Sequence, residues 1–204
     1  MSTITVIRHA PTEYNTNKIF MGVLDIPLTT TENIDANRLK RAFTENGCSI
    51  CYTSPLKRSY DTAAVLFDRN NIIIDLRLTE RNLGIWAGLS KKEIKAKYPF
   101  AFTESGTMDF YYTPEEGENY KEMIERVASF LVELYEKESN FAIVAHNGVF
   151  RVIKSLISGT GLSKVFNRFE PHLEPQTFTI DESIAKKIKD DCFYTVDKTK
   201  VTGE

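Results

Sequence analysis

The 204-residue chain carries 26 Lys and Arg against 28 Asp and Glu, with three His and three Cys. A formal net charge of −2 gives no reason to expect nucleic acid or an anionic membrane as the main partner. The apolar runs are too short to span a bilayer, and an odd cysteine count argues against a disulfide scaffold. The expectation is a soluble, cytoplasmic chain without a secretory leader, folded as a single domain over residues 1–204.

The first predicted element is a buried strand over residues 3–7, TITVI. A helix is expected over 29–43, with Thr29 and Glu32 as a capping box. A strand over 49–53 (SICYT) follows. Ser54 and Pro55 then predict a helix running to about residue 68, and 71–76 (NIIIDL) a third strand. Residues 97–116 break the pattern. They place Phe100, Phe102, Phe110, Tyr111 and Tyr112 among Pro, Gly and Thr, and read as an aromatic cap or lid. Residues 119–137 form the clearest helix, with Met123, Ile124, Val127, Leu131 and Leu134 at helical spacing and Asn119 with Glu122 as caps. Phe141–Ala145 is a fourth strand, 149–157 a helix and Gln176–Ile180 a fifth strand. Strands alternating with amphipathic helices predict a three-layer α/β/α sandwich around a largely parallel, mixed sheet.

Two histidines follow strands in the same way: His9 after ITVI and Arg8, His146 directly after FAIVA. In a parallel α/β sheet, ligands bind beyond the carboxyl ends of the strands, so both imidazoles belong to one rim. One such histidine alone would more often be a hydrogen-bonded structural residue. Arg8 leaves the same strand end, and Arg58 lies near the start of the helix after Ser54. A single arginine is usually a solvated surface charge. Two guanidinium groups converging with two imidazoles instead suit a phosphate, whose oxygens match the guanidinium fork. The start of the helix after His146, at Asn147 and Gly148, adds backbone N–H donors.

These residues lie in segments that resemble the histidine phosphatase superfamily, the phosphoglycerate mutase-like family, branch 1. RHAPTEYN (8–15) is similar to its RHG-x-T-x-x-N motif. The resemblance continues through MGVLDIPLT (21–29), SPLKRSYDTA (54–63), LTERNLGIWAG (78–88), PEEGEN (114–119) and VAHNG (144–148). It implies the phosphoglycerate mutase-like fold. His9 would be the nucleophile that forms a phosphohistidine, and Arg8, Arg58 and His146 the phosphate pocket, with His146 protonated. Asn15 would be a further phosphate contact. Glu80 would be the proton donor to the leaving alcohol, its acidity weakened by burial under Trp86 or the aromatic excursion. Phosphoryl transfer of this kind is mostly positioning and charge stabilisation, so no metal and no cofactor is expected.

Three departures stand out. Ala10 replaces the usual glycine, which suits only a negative φ. Asn147 stands where a second glycine is common, and Glu32 lies near a glycine common after the LT motif. Cys48 and Cys51 form a CxxC without the further ligands a zinc site needs, so they read as structural, and Cys192 as incidental. Glu118 lies near a family pocket position or merely caps a helix. His172, in FEPHLEPQT, is either a loop residue or a substrate-selecting contact near the leaving group.

The favoured activity is metal-independent hydrolysis of a small phosphomonoester, such as phosphoserine or a sugar or acid phosphate. A cofactor-dependent phosphoglycerate mutase is the alternative, and a catalytically silent interaction protein the third. The family's mutases are typically longer, with a GLNK-like segment where AGLSKKE (87–93) stands here. The expected partner is the small substrate, with room for a homodimer but no nucleic acid and no membrane.

Overall fold

Every residue of the segment FAIVA is buried. A strand apolar on both faces must lie inside a sheet covered on both sides, and parallel α/β sheets provide that setting. In the computed structural model, which describes residues 1–165 and 168–191, five strands follow the order β3-β2-β4-β1-β5. They are β1 (Ser2–Arg8), β2 (Ile50–Thr53), β3 (Ile72–Ile74), β4 (Phe141–Ala145) and β5 (Gln176–Ile180). β1, β4, β2 and β3 run parallel, and β5 pairs antiparallel with β1.

The helices are α1 (Glu13–Thr16), α2 (Ala36–Glu45), α3 (Lys57–Leu66), α4 (Lys91–Lys97), α5 (Tyr120–Glu136), α6 (Asn147–Ser158), α7 (Leu162–Val165) and α8 (Glu182–Asp191). Ile4, Val6 and Ile143 pack with α5, α6 and α8 on one face of the sheet. Ile7, Cys51, Ala142 and Val144 pack with α2 and α3 on the other. The expected α/β/α layering and mixed sheet are both present.

The central register sets up the site. Arg8 pairs with Ala145 across β1 and β4, and the His9 N–H donates to Ala145 O at 2.9 Å. His9 and His146 therefore leave the sheet at the same level.

Several boundaries shift. The helix expected from Thr29 begins at Ala36, capped by the Asp35 carboxylate, which accepts from the Arg38 N–H. Thr29, Thr30 and Thr31 are β-branched and favour local turns, so Thr30 Oγ1 instead accepts from the Glu32 N–H. The helix expected from Ser54 begins at Lys57, because the Ser54 hydroxyl closes a turn on the Leu56 N–H. The first N–H of α3 is met from outside by Asp25 Oδ1, 2.7 Å from Lys57 N. Sequence periodicity missed the short α1, α4 and α7, and also α8 after β5. Asn119 and Glu122 do form the capping box expected for α5.

Residues 97–116 form irregular turns in a satellite cluster around Trp86, Leu83, Ile94 and Ala101. The Trp86 ring stacks on Tyr112 at 5.2 Å and 7°. Cys48 and Cys51 are buried free thiols, consistent with packing residues, and burial pushes the Cys51 thiol far up. Cys192 lies outside the described residues.

Candidate active site

A cavity of about 540 Å³ opens beyond the carboxyl ends of β1 and β4. Its walls include Arg8, His9, Asn15, Arg58, Glu80, Asn147 and Gly148. His146, fully buried, stands behind His9, with ring centroids 5.2 Å apart. The strand-end histidines and both arginines are thus brought together.

His9 has its backbone and ring pinned. Its Nδ1 lies 2.6 Å from Ala10 O, an acceptor only, so Nδ1 carries the proton and Nε2 keeps its lone pair. Burial first, then the nearby Arg58 and Arg8 charges, holds the His9 imidazole well below its ordinary value. The ring is therefore neutral and nucleophilic near neutrality. Ala10 is absent from the positive-φ residues, so its methyl group is not strained, and it is buried against the β1 side of the core.

Arg58 is fully buried at the second position of α3. Its two terminal nitrogens donate to Leu24 O at 2.6 Å and Gly22 O at 2.7 Å. Arg8 donates to Glu170 O at 2.9 Å and lies over the Phe169 ring at 4.3 Å. Burial lowers both guanidinium groups, Arg8 to about 10. Arg8 Nε, Arg58 Nε and both His146 nitrogens are buried without a hydrogen-bond partner in the protein. Buried polar atoms are nearly always satisfied, so such a concentration of unmet groups marks a place for a polar ligand.

The expected proton on His146 is not favoured by the protein's own groups. Burial first, then Arg58, His9 and Arg8, keeps this imidazole well below its ordinary value, so it is neutral in this setting.

Glu80 lines the same cavity as His9 and is half-buried. Its Oε1 accepts from the Arg81 N–H at 2.8 Å and its Oε2 from the Gly148 N–H at 3.1 Å. The expected cover by Trp86 or the aromatic excursion is not present, because Trp86 turns into its own cluster. Residues 97–116 supply none of the cavity's lining. They act one layer back, where Tyr112 O accepts from Arg81 at 3.0 Å. Gly148 has a packing reason: a Cβ there would collide with Glu80 Oε1.

Three expected phosphate contacts have structural duties as well. Asn15 Oδ1 accepts from the Thr12 N–H and Oγ1, both at 3.0 Å, leaving its amide Nδ2 as the donor for a ligand. Asn147 Oδ1 accepts from the Glu170 N–H at 2.9 Å. The Gly148 N–H is used by Glu80. His172 is not in the cavity wall; it packs against His9 with ring centroids 5.3 Å apart. Glu118 pairs with Arg126 at 2.6 Å and braces the segment carrying Glu80, accepting from the Asn82 N–H at 3.3 Å.

Sequence reasoning missed Lys18, Lys91, Tyr120, Arg151 and Phe169, all in the cavity wall. Arg151 was within reach of pattern reading, one helical turn after Asn147 on α6. Lys91 is the first residue of α4, inside its Ser90–Glu93 capping box, a signal present in AGLSKKE. Lys18, at φ +56°, carries no comparable sequence signal.

The fold and the two-histidine, two-arginine seat define a phosphoryl-transfer enzyme. The pattern of the histidine phosphatase superfamily (branch 1) matches residues 4–180, and the chain belongs to that family as a phosphoric monoester hydrolase. A Hydrogenobacter thermophilus protein provisionally named phosphoserine phosphatase 2 is 31% identical, over 82% of this chain and 84% of its own. A 2,3-bisphosphoglycerate-dependent phosphoglycerate mutase of Cytophaga hutchinsonii is 28% identical, over 75% and 76%. The solved structure of Bacillus stearothermophilus YhfR superposes with a TM-score of 0.79 at 25% identity, covering 89% of this chain and 93% of that one.

Proposed function

We propose that the protein is a metal-independent phosphomonoesterase that works through a phosphohistidine at His9. The observation carrying this reading is the group of buried, unpartnered donors on Arg8, Arg58 and His146 around a neutral imidazole. His9 Nε2 attacks phosphorus while Ala10 O holds the proton on Nδ1. The P–O bond to the alcohol breaks, and the leaving oxygen takes a proton from Glu80. Water then gives a proton to Glu80 and attacks the phosphohistidine, releasing phosphate and restoring His9. Arg8 and Arg58 carry the charge spread over the phosphoryl oxygens, which is where the barrier is lowered. A dianion beside His146 favours its charged form, so proton uptake there accompanies substrate binding.

The substrate is a small phosphorylated acid, of which phosphoserine is one. Around the outer cavity stand Lys18, Arg81, Lys91 and Arg151, while Glu80 is the one carboxylate of the wall among the described residues. An isolated antiparallel bridge joins Ile19 to Ser90 and sets Lys18 beside Lys91. Like charges paired across strands are unfavourable alone, and an anionic group between them removes the cost. Relatives named for phosphoserine and phosphoglycerate agree with a carboxylate-bearing substrate.

Matched pairs test this reading. Phosphoserine against phosphoethanolamine, and 3-phosphoglycerate against glycerol 3-phosphate, differ chiefly by one carboxylate. Phosphate release in EDTA should favour the carboxylate member of each pair by about 10-fold in kcat/KM. Loss of all turnover in EDTA would overturn metal independence, and equal rates would overturn the choice of an acid. Isomerisation of 3-phosphoglycerate exceeding phosphate release would mark a mutase instead.

A further inference from the structure

The segment after α7 grips the strand end that carries the nucleophile. Leu173 N–H donates to Arg8 O at 3.0 Å, and Glu170 O accepts from Arg8 at 2.9 Å. His172 forms an isolated parallel bridge with Arg8, and its Nδ1 lies 2.6 Å from His9 O. A carbonyl oxygen only accepts, so His172 Nδ1 carries the proton. The His172 ring meets the His9 ring edge-on, at 67°.

His172 completes a set of restraints around His9. The His9 N–H is fixed to Ala145 O, the Ala10 N–H to Thr62 Oγ1 at 3.0 Å, and Ala10 O to the His9 ring. The remaining backbone group, His9 O, is held by His172. This matters because Ala10 O, which fixes the tautomer of His9, is one peptide away. A shift of the His9 carbonyl rotates that peptide and misaims Nε2.

We propose that His172 is a positioning residue that holds His9 for in-line attack, and not a substrate contact. The inference rests on reading His9 as the nucleophile. Its place outside the cavity wall agrees, and so does the neutral state of its ring: burial and Arg8 lower it to about 4.

The test is pre-steady-state hydrolysis of p-nitrophenyl phosphate, in which the p-nitrophenolate burst reports phosphorylation of His9. Three variants are compared: His172→Ala removes the donor; His172→Asn keeps an N–H where Nδ1 stands; His172→Gln moves it one methylene further. The burst rate should fall about 10- to 100-fold in His172→Ala, with KM little changed. His172→Asn should recover most of the rate and His172→Gln should not, a contrast that serves even if the alanine variant does not fold. A raised KM at unchanged burst rate would overturn the proposal in favour of a substrate contact. Equal rates in the Asn and Gln variants, or a wild-type rate in His172→Ala, would overturn it too. His9→Ala separates the two ideas. If it still turns over, the nucleophile assignment itself fails. If it is inactive while the His172 variants behave as wild type, only the role of His172 fails.

Discussion

At the inner end of the cavity, Arg8, His9, Arg58 and His146 are 3%, 2%, 0% and 0% exposed, whereas Lys18 and Lys91 at the outer rim are open to solvent. The inner groups sit at the ends of β1 and β4 or in the first turn of α3, where strand register sets their spacing. The outer lysines come from the loop after α1 and the start of α4. Dry surroundings strengthen each charge at the inner end, so losses there should cost chemistry. Solvent screens the rim, so losses there should cost selectivity.

The sharpest way to break this contrast is His9→Ala, expected to lower kcat on the order of 10⁴-fold or more. Steady-state turnover of p-nitrophenyl phosphate checks it, and residual activity within tenfold of wild type would place the chemistry elsewhere. Arg58→Met should lower kcat/KM about 10²- to 10³-fold, as for loss of one preorganised donor. Glu80→Gln should reduce phosphoserine hydrolysis about 10²-fold and p-nitrophenyl phosphate far less, because the second leaving group needs no acid. Equal losses would remove Glu80 from that role. At the rim, combined Lys18→Gln and Lys91→Gln should bring the phosphoserine to phosphoethanolamine ratio from about 10-fold toward one. A ratio that stays high would move selectivity to Arg151 or Arg81.

The smallest effect is on stability. His9, His146 and His172 are all held below their ordinary value, by burial first. Below about pH 6.5 the unfolded chain binds protons that the folded chain does not, so stability is intact above that value and declines as pH falls. For His172 the decline ends near its folded value of about 4. The urea midpoint should drop between about pH 7.5 and pH 5, and a flat profile would contradict the neutral, buried imidazoles.

The inner end was legible in the sequence because a strand followed by histidine is a local pattern, and two such patterns in one parallel sheet meet at one edge. Arg58 was legible from its place near the start of the helix after Ser54, and motif resemblance added Asn15 and Glu80. Proton states were not legible: His146 is neutral because four cationic or imidazole neighbours and complete burial act together, and no single segment encodes that. The rim was hidden for a related reason. Lys18 comes beside Lys91 through the bridge of Ile19 and Ser90 and the backbone hydrogen bonds of Phe20 with Leu89 and Gly88, a long-range pairing between two irregular segments. The aromatic run at 97–116 suggested a lid by composition; Tyr112 packs on Trp86 and Phe100, Phe110 stacks on Tyr120 of the cavity wall, and the Tyr112 carbonyl accepts from Arg81.

The central claim is that phosphate passes through His9. Rapid quench during turnover of a ³²P-labelled phosphomonoester, followed by peptide mapping, tests it directly. The account predicts an acid-labile, alkali-stable phosphate on the peptide bearing His9, absent in His9→Ala. Turnover with no labelled protein at any quench time, or label on a different residue, would contradict it.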